Sequence, residues 1–69
     1  MSNLVKHIVK IDFKPNQSHS QREKTLNEGI LKNIDLLNER GYITVSHKIN
    51  NKNDGFAAVE FTTQRMVRV

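Results

Sequence analysis

The sequence predicts an α+β fold: one β-α-β-β domain whose three strands form an antiparallel sheet in the order 1-3-2, with a single helix packed on one face. Three observations lead there. Apolar residues alternate from Leu4 to Lys14 and again from Tyr42 onward, the period of half-buried strands. Between those stretches an apolar stripe recurs at the helical period. The chain has 69 residues and no cysteine, enough for one core over residues 1–69 and no disulfide framework.

The first strand is expected over residues 4–14. Val5, His7, Val9, Ile11 and Phe13 fall in one phase, and Lys6, Ile8, Lys10, Asp12 and Lys14 in the other. Pro15 cannot donate to a ladder and Asn16 favours a turn, so the strand stops there. Ser20 and Glu23 have the spacing of a capping box, which predicts a helix over residues 21–40. At 100° per residue, Leu26, Ile30, Ile34 and Leu37 gather on one side, while Lys24, Glu28, Lys32, Asp35 and Glu39 lie opposite. Gly41 supplies the left-handed residue that commonly ends a helix.

A second strand is expected over residues 42–49. Unbroken alternation puts Ile43, Val45, His47 and Ile49 toward the core and Tyr42, Thr44, Ser46 and Lys48 outward. Residues 50–55 carry turn chemistry, and a third strand follows over residues 56–63, with Ala57, Val59 and Phe61 in the core phase. Alternation continues to Val69, so either the strand runs on or the tail pairs with another chain. A helix of about 20 residues and a strand of nine are both about 30 Å long, so one helix covers three strands. A right-handed crossover makes the first two strands parallel, and the apolar third strand fits between them. Nothing intramolecular is left to cover the other face.

Charge follows the same division. There are 11 Lys plus Arg against 7 Asp plus Glu, a net charge of +4. On the helix, Arg22, Lys24, Lys32 and Arg40 balance Glu23, Glu28, Asp35 and Glu39. The excess therefore belongs to the sheet and loops, where Lys6, Lys10, Lys14, Lys48, Lys52, Arg65 and Arg68 outweigh Asp12, Asp54 and Glu60. The open face is expected to be basic, with apolar and aromatic spots at Ile8, Tyr42 and Phe56. Candidate partner-binding residues are Lys6, Ile8, Lys10, Tyr42, Lys48, Phe56, Arg65 and Arg68.

That surface suits a protein interface with a cationic rim. The alternative is nucleic acid, with bases stacked on Tyr42 and Phe56 and lysines near phosphates. Three phenylalanines and one tyrosine without a ribonucleoprotein-like aromatic motif make that signal weak. The plainest reading is of ordinary strand residues, with lysines placed on edge strands to discourage aggregation.

Sites for chemistry are not expected. His7 and His47 share the core phase, but in the 1-3-2 order they stand two ladder spacings apart, roughly 10 Å, too far to share an ion unaided. His19 lies near Ser18 and Ser20 without a third orienting group. Glu60 is a lone outward carboxylate, best explained by an ion pair with Lys10 or Lys48. Gly29, Gly41 and Gly55 are too scattered for a phosphate loop. Gly29 implies close approach of helix to sheet, over Phe13 or Phe61, and Asn33 needs a partner if buried.

In element order and length the chain resembles the dodecins, small β-α-β-β proteins that assemble into shells and bind flavin. It has no tryptophan to serve as a flavin-stacking platform, so no binding site is carried over and no cofactor or metal is expected. No segment approaches the roughly 20 apolar residues of a membrane span, and the start lacks the apolar run of a signal peptide, so a cytoplasmic protein with no membrane partner is expected. A chain this short buries only about 60% of the surface its unfolded form exposes, which favours association with another subunit. The functional expectation is a non-enzymatic, self-associating interaction module that occupies a surface on a larger protein assembly, as a small phage or mobile-element inhibitor does to host machinery.

Overall fold

A computed structural model describes residues 4–66, which form β1 (Leu4–Asp12), α1 (His19–Glu39), β2 (Tyr42–Lys52) and β3 (Phe56–Arg65). The sheet is antiparallel in the order β1-β3-β2. One helix lies on one face, as the sequence predicts. Residues 67–69, onto which the strand was expected to extend, lie outside the described part.

β3 occupies the centre because it is apolar at every second position. Ala57, Val59, Phe61 and Thr63 are fully buried. Ile11 and Phe13 join them from the β1 side, and Leu26, Ile30 and Leu37 from α1. Val9, Ile34 and Tyr42 pack against the margin of this cluster. Burying a Phe or Leu side chain is worth about 1.5–3 kcal/mol, so these few residues hold most of the fold.

The helix starts two residues earlier than predicted. Ser18, not Ser20, is the N-cap. The Gln21 backbone N–H donates to Ser18 Oγ at 3.3 Å, and the Ser18 N–H donates to Gln21 Oε1 at 2.8 Å. Both serines stand three residues before an amide or carboxylate, so the motif occurs twice, and the earlier one is used. Glu23 is thereby free to pair with Lys52. At the other end Gly41 takes a φ of 95°, the left-handed conformation expected of it.

Gly29 meets Ile11 and not Phe13 or Phe61. A Cβ at Gly29 would lie 2.9 Å from Ile11 Cδ1 and 3.1 Å from its Cγ2, so the absence of a side chain sets how closely α1 approaches β1. Asn33 is half-buried and finds its partner locally, donating through Nδ2 to the Gly29 carbonyl at 2.7 Å.

The largest departure from the predicted fold is in β2, which slips twice against β3. Thr44 faces Thr63 but Ser46 faces Thr62, and Ile49 faces Val59 but Asn51 faces Ala58. Val45 and Asn50 are the extra residues of two bulges. Each bulge reverses the side-chain phase that follows it. Tyr42 and Thr44 therefore point to the helix side and Ile43 away from it, the reverse of the expected assignment, whereas His47 and Ile49 keep their predicted side. The strand also continues to Lys52, beyond the predicted end at Ile49, and the turn contracts to residues 53–55. There Asn53 Oδ1 accepts from the Gly55 and Phe56 N–H groups at 2.8 and 2.9 Å.

Candidate functional site

The face of the sheet away from α1 is built in cross-strand rows. Leu4, Gln64 and Ile43 form one row, followed by Lys6, Thr62 and Ser46, then Ile8, Glu60 and Lys48, then Lys10, Ala58 and Asn51. Asp12 and Phe56 close the series. The structure thus brings Lys6, Ile8, Lys10, Lys48 and Phe56 onto one surface, as the sequence predicts.

Two other residues of the predicted surface, Tyr42 and Arg65, are not assembled there. Tyr42 lies on the helix side, packed against the core, and its ring stands 4.9 Å from that of His7, nearly edge-on. The bulge at Val45 is the cause. Arg65 pairs with Tyr42, so it shares the helix-side phase at the far end of β3. There it borders a shallow open cleft with Arg40, Gly41, Ile43, Gln64 and Met66. Arg68 lies outside the described residues.

Sequence reasoning missed three apolar side chains. Leu4 and Ile43 are about half exposed on the open face. Val45 follows Thr44 by alternation onto the same face and is 53% exposed. With Ile8, at 68% the most exposed large apolar residue among those described, they make the surface more apolar than expected. Nothing in the sequence signals the bulge, because the alternation reads the same on either side of it.

The face is also less basic than expected. Among the described residues it carries Lys6, Lys10 and Lys48 against Asp12 and Glu60. Lys10 Nζ stands 3.8 Å from Asp12 Oδ1 and 4.7 Å above the centre of the Phe56 ring. Lys48 Nζ is 4.0 Å from Glu60 Oε2, and the Glu60 side chain is only 15% exposed at the centre of the sheet. Lys6 has no carboxylate within ion-pairing distance among the described residues. Lys52, which the sequence counts with the sheet, turns to the helix side and pairs with Glu23. That pair holds the Glu23 carboxyl below its ordinary pKa through a hydrogen bond and charge attraction from Lys52.

The histidines remain apart. His7 and His47 both face Phe61 across the ladder, one on each side of it. Thr63 Oγ1 donates to the Val5 carbonyl at 3.0 Å, which spends its only proton. The 3.1 Å contact between Thr63 Oγ1 and His7 Nε2 must therefore be donated by the imidazole. His47 is exposed, its ring 6.1 Å from that of Phe61. No group of three or more His, Cys, Asp or Glu side chains converges among the described residues, and no described helix is long and apolar enough to cross a membrane.

Among the described residues, Phe56 is the aromatic ring left on the open face, two of the three lysines there are paired, and apolar side chains are set among these charges. Comparison with protein families, with curated proteins and with solved structures finds no match to this chain.

Proposed function

We propose that the chain is a non-catalytic interaction module that self-associates and presents the open face of its sheet to a larger protein assembly. The observation that carries this reading is the exposure of Leu4, Ile8, Ile43 and Val45 on the face without a helix. Apolar groups of that size in water are a cost the domain bears continuously. Binding removes it. Lys6, Lys10 and Lys48 around them supply a cationic rim that favours an acidic partner surface. Such a module acts by occupying a site, which is how a small inhibitor carried by a phage or mobile element blocks host machinery.

Sedimentation over a wide concentration range tests the self-association, with a mass above that of a single chain as the expected result. A mass of one chain throughout would remove that part of the reading. A labelled single-stranded oligonucleotide titrated across a salt series tests the class of partner. Negligible binding at low salt is expected, whereas tight binding that falls steeply with salt would transfer the face to nucleic acid.

A further inference from the structure

The two edges of the sheet differ in how available they are to another strand. The β2 edge is broken by bulges at Val45 and Asn50, a device that keeps edges from pairing. β1 runs from Leu4 to Asp12 against β3 in one unbroken register. The Phe13 N–H donates to the Gly55 carbonyl at 2.9 Å in continuation of that register. In an antiparallel ladder, hydrogen-bonded and non-bonded pairs alternate, so the odd-numbered residues of β1 bond to β3. Leu4, Lys6, Ile8, Lys10 and Asp12 then turn their N–H and C=O groups to the free edge.

We infer that this edge pairs with β1 of a second copy, antiparallel about a two-fold axis at Val9, to give a continuous six-stranded sheet. The inference rests on the self-association proposed above and assigns it a surface and a register. Charge selects the register. With the axis at Val9, Lys6 faces Asp12 of the second copy on the open side, twice by symmetry, and Ile8 faces Lys10. Moving the axis to Ile8 sets Lys6 against Lys10, and moving it to Lys10 sets Lys10 against itself. Like charges directly opposite destabilise a sheet. An axis at His7 leaves Lys6 facing Ile8, with no ion pair, and an axis at Ile11 faces Lys10 with Asp12, which already pair within one chain. Only the Val9 register gives a partner to Lys6, which has no carboxylate within ion-pairing distance among the described residues.

The side chains on the helix side agree. Val5, more than a third exposed, comes opposite Phe13 of the second copy, and half-buried Val9 meets its own symmetry mate. Leu36, about two-fifths exposed, follows Gly29 by seven residues and so lies on the same flank of α1 as Gly29, which meets Ile11 of β1. Both helices end on the same side of the joined sheet. The open faces of the two copies merge into one platform for a third partner.

Because the chain has no cysteine, Val9→Cys places one thiol on the axis. Non-bonded antiparallel pairs bring Cα atoms to about 4.5 Å, within reach of a disulfide. Mild oxidation should convert most of Val9→Cys to a covalent dimer, while His7→Cys and Ile8→Cys cross-link far less. A wild-type dimer in which Ile8→Cys or His7→Cys cross-links instead would overturn the register. A wild-type dimer in which no β1 cysteine cross-links would overturn the edge and leave self-association standing. A wild-type monomer would overturn both. The exposed charge pair gives a second test that does not touch the core. Lys6→Asp should weaken association about tenfold, and adding Asp12→Lys should restore it. Failure of the double variant to recover would count against the pairing.

Discussion

β1 and β2 border the same middle strand, yet β1 keeps one register for nine residues while β2 slips twice in eleven. On β1, alternation in the sequence corresponds directly to alternation in space: Ile11 and Phe13 are buried and Ile8 is exposed. On β2 the same kind of alternation is cut at Val45, so Tyr42 faces the helix and Ile43 faces away. A regular edge keeps its side-chain phase and leaves a row of backbone groups free for pairing. A bulged edge gives up both.

The severest way to break this contrast is to delete one residue from each edge, Ile8 from β1 and Val45 from β2. Without Ile8, either Val5 and His7 or Val9, Ile11 and Phe13 must change faces, whereas deleting Val45 joins Thr44 to Ser46 with every partner on β3 unchanged. The expected outcome is a loss of about 3 kcal/mol or more in urea unfolding for the Ile8 deletion, enough to unfold a domain of ordinary marginal stability, and a change of about 1 kcal/mol or less for the Val45 deletion. Losses of equal size from the two deletions would show that Val45 is not the extra residue that sets the phase of β2.

A smaller test compares two threonines that face each other across β2 and β3. Thr63 is fully buried, donates to the Val5 carbonyl and accepts from His7. Thr44 also has a buried hydroxyl, but Oγ1 has no hydrogen-bond partner among the described residues. The regular β1 edge supplies acceptor and donor at the right height, and the slipping β2 strand does not. Thr63→Val should therefore cost about 1–2 kcal/mol, because it orphans the His7 N–H and the Val5 carbonyl's second bond. Thr44→Val should gain about 1 kcal/mol by replacing an unsatisfied hydroxyl with a methyl group of similar shape. Equal effects of the two substitutions on the urea midpoint would contradict the contrast.

The order of elements and the central place of β3 were legible in the sequence because each rests on a local signal repeated over many residues. Alternation marked the strands and Gly41 marked the helix end, whereas the helix start was placed two residues late because Ser20 and Glu23 repeat the spacing of Ser18 and Gln21. The same alternation assigned Lys6, Ile8, Lys10 and Phe56 to the open face, and the isolated position of Glu60 pointed to its lysine. What the sequence concealed depends on one inserted residue. Val45 and Ile43 read as core because nothing in their chemistry distinguishes a bulged strand from a straight one. Tyr42 was misplaced for the same reason. The pairing of Lys52 with Glu23 was hidden because the strand runs three residues past the point where asparagines suggested a turn.

That last pair gives the mildest test of the contrast, since it exists only because β2 reaches Lys52 after its second bulge. Lys52 lies opposite Ala57 on the helix side and meets Glu23 in the first turns of α1, where His19 Nε2 also stands 3.9 Å from Glu23 Oε1. Hydrogen bonding and attraction from Lys52, helped by His19, lower the Glu23 pKa from its ordinary 4.5. A carboxyl whose pKa is depressed by folding stabilises the native state most when ionised. Its contribution is present above the unfolded value of 4.5 and disappears as pH falls through the lower folded value. Urea midpoints measured from neutral to acid pH should thus fall more steeply below pH 4.5 for the parent than for Lys52→Met, and the two should converge at the acid end. Parallel curves for parent and variant would mean that Lys52 does not hold the Glu23 carboxylate. The reach of β2 beyond its second bulge would then add nothing to the anchoring of the helix start.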